Sequence, residues 1–387
     1  MKIIVSTIAE KKINKGISLL DSSDFKENQN LPDGQVSLFS KSRRYLGEAY
    51  LSPQNKGIGW LFSRNKIALS VDFFTNLFKK AKTVRQPFYH SNLTTAFRLF
   101  NQDGDGFGGL TIDLYGDYAV FSWYNTFVYS IRQLVIEAFQ IVFPEVVGAY
   151  EKIRFQSELR DSNFLYGDQA PDTFTVYENG VAYQVFLNDG LMTGIFLDQH
   201  DVRASLVDGL ASGKKVLNMF SYTAAFSVAA AMGGASETVS VDLAKRSRDL
   251  SKAHFMANGL PLDHHQFVVM DVFEYFNYAK RKGLKFDMII LDPPSFARNK
   301  KHTFTVAKDY YKLIEQSLEI LHSDGMIIAS TNAANISIDK FKQQVQKGLG
   351  KVKYRFLQTY RLPNDFTVNK NDESSNYLKV FTIQVQK

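Results

Sequence analysis

Residues 286–296 read Phe-Asp-Met-Ile-Ile-Leu-Asp-Pro-Pro-Ser-Phe, an apolar run that ends on a carboxylate, two prolines, a small polar residue and an aromatic. A short apolar run bounded by a turn signal is typical of a strand buried on both faces of an α/β sheet. Pro293 and Pro294 end this strand and stiffen the loop after it. Because ligands of open α/β sheets bind beyond the carboxyl ends of the strands, the loop suits a flat, polar group such as a nucleobase.

Short strand-like runs alternate with longer segments of helical periodicity from about residue 195 onward. The predicted strands are 215–219, 237–241, 266–270, 286–291 and 325–330, and the predicted helices include 244–258, 303–322 and 337–348. This alternation predicts a doubly wound, mostly parallel sheet with right-handed crossovers. Two further strand-like runs, 353–361 and 377–385, predict an antiparallel hairpin that completes it.

The N-terminal half of the chain has a different pattern. Residues 1–73 alternate short apolar and polar stretches, which predicts a small β-rich domain. Residues 74–190 combine helical and strand-like runs and predict a small α+β middle domain. With a catalytic domain over 191–387, the predicted fold class is α/β with two smaller domains before it.

The composition limits the classes of function. A formal net charge of +7 favours an anionic partner such as nucleic acid, and residues 76–100 hold five Lys or Arg and no acidic residue. The absence of cysteine excludes disulfides, Cys-type zinc sites and a thiolate nucleophile. No apolar run is long enough to span a membrane and no signal-peptide pattern is present, which predicts a cytoplasmic protein.

Acidic residues follow successive predicted strands of the C-terminal part. The loop 221–225 follows the first strand, and Asp242 ends the second, where a carboxylate can accept both ribose hydroxyls of a nucleoside cofactor. Asp271 ends the third strand and could accept from an adenine amino group. The G-x-G-x-x-G pattern of dinucleotide sites is missing, which favours S-adenosylmethionine (SAM) over a nicotinamide cofactor.

Residues 216–242, 271–273 and 291–296 resemble class I SAM-dependent ribosomal-RNA methyltransferases, and the large-subunit rRNA methyltransferase I type in particular. Residues 105–113 and 193–199 resemble other signatures of the same group. The resemblance implies an N-terminal PUA-like RNA-binding domain, a small α+β middle domain and a Rossmann-like methyltransferase domain. It implies large-subunit (23S) rRNA as the partner, SAM as the cofactor and no metal. The oligomeric state stays open, with a homodimer as one option.

The candidate site residues fall into three groups. The cofactor contacts, several of which rest on the resemblance alone, are Phe196, Asp198, Gln199, Asn218, Phe220, Ser221, Tyr222, Asp242, Leu243, Asp271, Val272 and Asp292. The candidate catalytic residues are Asp292, Pro293, Pro294 and Phe296. The candidate substrate contacts are Ser330, Asn332, Lys79, Lys80, Lys82 and Arg85.

The sequence departs from this family at three places. Ala224 and Ala225 stand where paired glycines are usual, His200 stands where an arginine is usual, and residues 328–335 lack the cysteine of members that methylate cytosine at C5. Carbon 5 is not nucleophilic until a group adds covalently at carbon 6, and a thiolate does this well. Methylation of a base nitrogen needs no such adduct and is therefore favoured. Three alternatives stay open: C5 methylation by a non-thiol route, a catalytically degenerate RNA-binding protein, and an NAD-dependent oxidoreductase.

Overall fold

The computed structural model describes residues 1–27, 29–54, 56–298 and 303–386. The chain forms two compact units. The first comprises Met1–Phe174, Phe186–Thr193 and Asn364–Ser375, and the second comprises Thr175–Val185, Gly194–Pro363 and Asn376–Lys387. The division into domains 1–73, 74–190 and 191–387 stays a prediction.

The first unit begins with a five-stranded sheet in the order β1-β3-β4-β5-β2. Its strands and one helix are β1 (Lys2–Ile4), α1 (Thr7–Asn14), β2 (Leu19–Leu20), β3 (Gly34–Phe39), β4 (Tyr45–Gln54) and β5 (Gly57–Ser63). The pair β1–β3 is parallel, and the other pairs are antiparallel. Buried aliphatic side chains, including Ile3, Val36, Leu38 and Leu51, form its core. The predicted β-rich N-terminal region is thus a sheet.

A second five-stranded sheet of this unit has the order β10-β9-β8-β7-β6. The elements are α2 (Val71–Val84), α3 (Gln86–Tyr89), β6 (Ala96–Asn101), β7 (Leu110–Tyr115), β8 (Tyr118–Trp123), α4 (Thr126–Ser130), α5 (Arg132–Val142), β9 (Gly148–Ile153) and β10 (Ser162–Gly167). Only β8 and β9 pair in parallel among these neighbours. Phe74 and Phe78 of α2 pack with Phe139 of α5 in an aromatic core.

The second unit contains a seven-stranded sheet in the order β15-β14-β13-β16-β19-β21-β20. Its elements are β11 (Phe174–Glu178), β12 (Val181–Val185), α6 (His200–Ser205), β13 (Lys215–Met219), α7 (Ala225–Met232), β14 (Glu237–Asp242), α8 (Lys245–Ala257), β15 (His265–Val269), α9 (Val272–Arg281), β16 (Phe286–Leu291), β17 (Phe296–Arg298), β18 (Thr303–Thr305), α10 (Val306–Ile320), β19 (Leu321–Thr331), α11 (Ile338–Leu349), β20 (Lys353–Tyr360) and β21 (Lys379–Gln386). The first five strands in the sheet order are parallel, and β21 and β20 are antiparallel. The predicted doubly wound sheet with an antiparallel edge is confirmed.

The apolar run of residues 286–291 is the central strand β16. It lies between β13 and β19, and Met288, Ile289, Ile290 and Leu291 are fully buried. From β13 the chain first builds outward to β14 and β15 and then returns to β16 on the other side. The strand order therefore reverses between β13 and β16, and ligands of such sheets bind beyond the carboxyl ends of the strands at this reversal. No helix within the described ranges is long and apolar enough to cross a membrane.

Candidate active site

The loop that follows β13 has an unusual backbone. Phe220, Tyr222 and Ala224 have φ angles of 60°, 47° and 59°, in the left-handed region that favours glycine. Such conformations cost of order 1 kcal/mol or more each and are concentrated at functional sites. Ala224 is also fully buried, so its side chain must fit a position for which glycine is the natural choice. This explains why the alanine is a notable departure.

Asp242, at the end of β14, holds this loop by its carboxylate. Its Oδ2 accepts from the backbone N–H of Tyr222 at 2.8 Å, and its Oδ1 accepts from that of Ala244 at 2.9 Å. A carboxylate has about four acceptor positions, so these two bonds leave room for ligand hydroxyls. The predicted cofactor residue therefore also fixes the loop conformation.

The segment before α6 is bound to the same loop. The hydroxyl of Thr223 donates to the carbonyl of Gly194 at 2.6 Å, and the N–H of Gly194 donates to the Tyr222 hydroxyl at 3.3 Å. Buried His254 of α8 has Nδ1 2.9 Å from the Thr223 carbonyl, and burial lowers the pKa of His254. His254 was not predicted as a site residue, because nothing in the local sequence distinguishes it from an ordinary helix residue.

A narrow cleft of about 10 Å³, the size of roughly one water molecule, lies between this loop and the ends of β14 and β15. Ser221, Tyr222 and Asp242 line it, together with residues that the sequence analysis did not name: Ser247, Arg248, Phe267, Val268 and Val269. One signal in the sequence could have indicated these residues. The first turn of α8 and the strand β15 both follow the predicted acidic residue Asp242 in the chain. Leu243 lies exposed beside the cleft, and Val272 is buried.

Asp271 caps a helix. Its Oδ1 accepts from the N–H groups of Phe273 at 2.9 Å and Glu274 at 3.2 Å, which makes it the N-cap of α9. An N-cap carboxylate of this kind typically stabilises a protein by about 1 kcal/mol. Its predicted contact with an adenine amino group would be a second role.

Asp292 lies at the end of β16 in a polar cluster. The side-chain amide of Gln199 donates to Asp292 Oδ1 at 2.9 Å and to the Ser330 hydroxyl at 2.8 Å. The pKa of Asp292 is raised to about 6. Desolvation is the largest cause and the negative charge of Asp198 adds to it, whereas the hydrogen bonds from Ser330 and Gln199 and the positive charge of Arg203 partly offset the rise. The structure thus brings together three residues that the sequence placed far apart.

The segment that carries Gln199 is held by a buried ion pair. Two nitrogens of the Arg203 guanidinium donate to the carboxylate of Glu178, Nε to Oε1 at 2.6 Å and Nη2 to Oε2 at 2.7 Å. Nη2 also donates to the carbonyl of Phe196 at 2.7 Å. Asp198 accepts from the Tyr377 hydroxyl at 3.0 Å. These contacts fix the direction of Gln199 toward Asp292.

Two buried amide oxygens at this end of the sheet lack a partner among the described residues. They are Gln199 Oε1 and Asn218 Oδ1, whose nitrogens are both bonded, the latter to Ser227 at 3.0 Å. A buried acceptor without a donor is costly, so such atoms are expected where a ligand supplies the donor.

Comparison with known proteins identifies this arrangement. A family model described as S-adenosylmethionine-dependent methyltransferase matches residues 151–373, which is more than half of the chain, and a PUA-like domain matches residues 3–64. The chain belongs to the SAM-dependent methyltransferases. The predicted fold class, with its PUA-like and Rossmann-like parts, and the predicted cofactor are confirmed, and the nicotinamide alternative is set aside.

Individual relatives match between about three quarters and the whole of the chain. YwbD of Bacillus subtilis (strain 168), named provisionally as a ribosomal RNA large subunit methyltransferase, is 42% identical over 382 residues, with 96% of each chain covered. Ribosomal RNA large subunit methyltransferase I of Aeromonas salmonicida (strain A449) is 32% identical, with 77% of each chain covered. The crystal structure of SMU.776, named provisionally as a methyltransferase and complexed with SAH, is 60% identical, covers 100% of both chains and has a TM-score of 0.96.

The residues around this cleft fit the chemical groups of SAM, and the cleft of about 10 Å³ must widen to admit the whole molecule. The spare acceptor positions of Asp242 suit ribose hydroxyls, the apolar side chains of Phe267 and Val269 in the cleft suit a purine ring, and the unpaired oxygens of Gln199 and Asn218 suit an ammonium group. SAM supplies a methyl group activated by a positively charged sulfonium. The cleft needs no phosphate cradle, in agreement with the missing glycine fingerprint.

The two roles of Asp271 can be separated by substitution. Asp271→Ser keeps a capping oxygen, so the free energy of unfolding should change by only a few tenths of a kcal/mol, while Asp271→Ala should lose about 1 kcal/mol. If the carboxylate also contacts the adenine, both variants should bind SAM several-fold more weakly in calorimetry. Wild-type SAM affinity in Asp271→Ser would assign the residue to capping alone.

The predicted substrate residues beside Asp292 differ in exposure. The ring of Phe296 is 58% exposed beyond the two prolines, of which Pro293 is buried and Pro294 is exposed. Asn332 accepts from the Ser295 hydroxyl at 3.0 Å, and Ser330 is fully buried. Phe296 and Asn332 are thus accessible to a large substrate, whereas Ser330 is buried and hydrogen-bonded to Gln199.

The basic stretch of the first unit divides into accessible and buried residues. Lys79 and Lys80 are exposed on α2, and Lys82 donates to Glu145 at 2.6 Å. The predicted RNA contact of Arg85 is wrong. Its guanidinium is fully buried and donates to both carboxylate oxygens of Asp105, at 2.6 and 2.7 Å. Arg85 is the C-cap of α2, and its side chain faces the strand β6, where it also donates to the carbonyl of Arg98.

Proposed function

We propose that this methyltransferase transfers the methyl group of SAM to a nitrogen of a base in large-subunit (23S) rRNA. The observation that carries the proposal is the Asp292 cluster: a carboxyl group with a pKa near 6, followed by two prolines and an exposed aromatic ring. The choice of large-subunit rRNA as the substrate rests on the relatives, which are named as large-subunit rRNA methyltransferases.

Each part of the cluster has a task in such a transfer. Phe296 stacks on an unpaired base, as aromatic side chains do in RNA recognition. Asp292 is mostly ionised at pH 7 and accepts a hydrogen bond from an amino group of the base, which orients the nitrogen lone pair. It can also take up the proton that the nitrogen releases. Gln199 holds the carboxylate in place, so the rate gain comes mainly from proximity and orientation.

The surroundings of Ser330 argue against covalent chemistry at cytosine C5. Its hydroxyl oxygen accepts from Gln199 and is fully buried. Its neighbour Asp292 is far too weak a base to hold a hydroxyl as an alkoxide. With no cysteine in the chain, a nitrogen target is favoured, and C5 methylation by a non-thiol route is the second candidate.

The N-terminal parts serve RNA recognition in this proposal. Residues 1–73 form an RNA-binding PUA-like domain, 74–190 a middle domain and 191–387 the methyltransferase domain. An rRNA substrate places the protein in the cytoplasm, where ribosomes are made.

Exposed lysines of α2 should contribute to RNA affinity through phosphate contacts. In Lys79→Ala/Lys80→Ala, binding of a 23S rRNA transcript should weaken at low salt, and the slope of log affinity against log salt should fall by about 0.7–0.9 per lost contact. Lys82→Ala should have a smaller effect, because Glu145 already neutralises this lysine. Filter binding over a salt series measures both, and unchanged affinity of the double variant at low salt would remove α2 from the RNA interface.

Transfer of label from tritiated SAM to protein-free 23S rRNA tests the function itself. Wild-type protein should label the rRNA, and Asp292→Asn should label it far more slowly. SAM binding without any transfer, to naked rRNA or to assembled large subunits, would favour a catalytically degenerate RNA-binding protein.

A further inference from the structure

The first unit contains a cavity of about 480 Å³ that no sequence motif indicated. It lies where β8 and β9 end side by side, since these two strands are parallel. Its lining includes Gln54, Lys56, Gln102, Tyr124, Arg154 and Phe155. The volume is within the range of small-molecule sites, which run from roughly 300 to 1,000 Å³.

The cavity carries an excess of positive charge. Arg154 donates to the carbonyl of Leu191 at 3.0 Å and to the Ser122 hydroxyl at 3.4 Å, and Lys56 donates to the carbonyl of Ser374 at 3.3 Å. In the part of the chain that the structure describes, neither has a carboxylate within 4.0 Å. Asp161 also lines the cavity. Both cations donate hydrogen bonds to neutral oxygens, and Lys56 also interacts electrostatically with the buried carboxylate of Asp103. Lys56 and Arg154 outweigh Asp161, the one acidic residue among the described residues of the lining, so the lining keeps a net positive charge that attracts an anion.

A neighbouring lysine supports the same conclusion. Lys152, two residues before Arg154 on β9, is buried and donates to the carbonyls of Leu187 at 2.7 Å and Gly190 at 2.6 Å. Burial lowers the pKa of Lys152 to about 8, the positive charge of Arg154 contributes to this shift, and the carboxylates of Asp189 and Asp161 partly oppose it. An anion beside Arg154 would relieve this repulsion between cations.

The uncharged lining suits a nucleobase. Tyr124 and Phe155 are partly exposed aromatic residues, and aromatic rings are the usual platforms for unpaired bases. The carbonyl oxygen of Gln54 accepts from Asn125 at 2.7 Å and that of Gln102 from the N–H of Gly109 at 3.4 Å. Their NH₂ groups are therefore the ends that can donate to a ligand.

We propose that this cavity binds an unpaired nucleotide of the RNA substrate, with its base on Tyr124 or Phe155 and its phosphate on Lys56 and Arg154. This site rests on the proposed function for the identity of the RNA. It does not depend on which atom is methylated.

The test compares Tyr124→Ala, Tyr124→Phe and Lys56→Gln with the full-length wild-type protein, using a 23S rRNA transcript as the probe. Loss of one stacked base should weaken RNA binding by about tenfold or more in Tyr124→Ala, and Tyr124→Phe should restore most of that affinity. Lys56→Gln should lower the salt slope by about 0.7–0.9. Lys340→Gln, an exposed lysine of α11 in the second unit, is the charge-matched control and should leave affinity and slope unchanged.

The outcomes separate this site from the proposed function. Wild-type methylation of rRNA together with wild-type affinity in Tyr124→Ala would overturn the cavity assignment and leave the function standing. No methylation by the wild type, with RNA binding that still depends on Tyr124 and Lys56, would overturn the function and support the cavity. Since Tyr124→Ala could fail to fold, Tyr124→Leu keeps the apolar volume without the ring. Wild-type affinity in this variant would also contradict the proposal.

Discussion

Asp292→Asn should lower kcat by about 10²–10³-fold while the affinity for SAM stays within a few-fold of wild type. The amide keeps the size of the side chain and an oxygen that can still accept from Gln199, but it cannot hold negative charge or take up a proton. The loss should therefore fall on turnover. Single-turnover transfer of tritiated methyl groups to 23S rRNA measures it, and calorimetry measures SAM binding.

The pH profile of the wild type should carry the signature of the same group. Because desolvation raises the pKa of Asp292 to about 6, its reactive ionised form is lost as pH falls through 6. The rate should fall about tenfold per pH unit below that point and be level above it, and the profile of Asp292→Asn should lack this step.

A matched control lies on the same strand. Asp287 is at the opposite end of β16, where its carboxylate accepts from the N–H of Lys215 at 2.8 Å. Asp287→Asn keeps an acceptor there and should have wild-type turnover. Near-normal kcat in Asp292→Asn, or equal losses in both variants, would mean that the carboxylate has no part in the reaction.

Asp242→Ala should raise the Kd for SAM by about 10–100-fold. The substitution removes the acceptor for the N–H groups of Tyr222 and Ala244, and hydrogen bonds to charged groups are worth about 1.5–3 kcal/mol each. It also removes the acceptor proposed for the ribose, and the strained loop loses its support. Asp242→Asn keeps one oxygen and should have a smaller effect in the same calorimetric titration.

Glu237→Ala provides the comparison for this prediction. Glu237 begins β14, and its carboxylate forms a surface ion pair with Lys215 at 2.7 Å, so its removal should change neither SAM affinity nor turnover measurably. Wild-type SAM affinity in Asp242→Ala would show that the cofactor is bound elsewhere.

The parts of the fold set by local patterns could be predicted from the sequence. Alternating periodicity placed β13–β16 and β19 within a few residues, because burial on both faces requires continuous apolar runs. The same pattern predicted that Asp242, Asp271 and Asp292 lie at one edge of the sheet, because the carboxyl ends of parallel strands meet at the same edge. The hairpin β17–β18 after the two prolines was not predicted, because a three-residue strand leaves almost no periodic signal.

Long-range contacts account for most of what the sequence did not reveal. The charge of Arg85 indicated a surface contact, but its partner Asp105 is twenty residues away in the chain, and only the folded unit brings the two together. The same holds for Gln199, which reaches Asp292 and Ser330 across the sheet, and for His254 beneath the cofactor loop. Composition and spacing identify residue types, whereas burial decides which of them meet a ligand.

Mass spectrometry of nucleosides from 23S rRNA, after reaction with SAM carrying a deuterated methyl group, identifies the methylated atom itself. We expect one labelled nucleoside methylated at a base nitrogen, which is formed by the wild type and nearly lost in Asp292→Asn. Labelled 5-methylcytidine would contradict the nitrogen target. The absence of label from every nucleoside, with assembled large subunits as well as naked rRNA, would contradict the function.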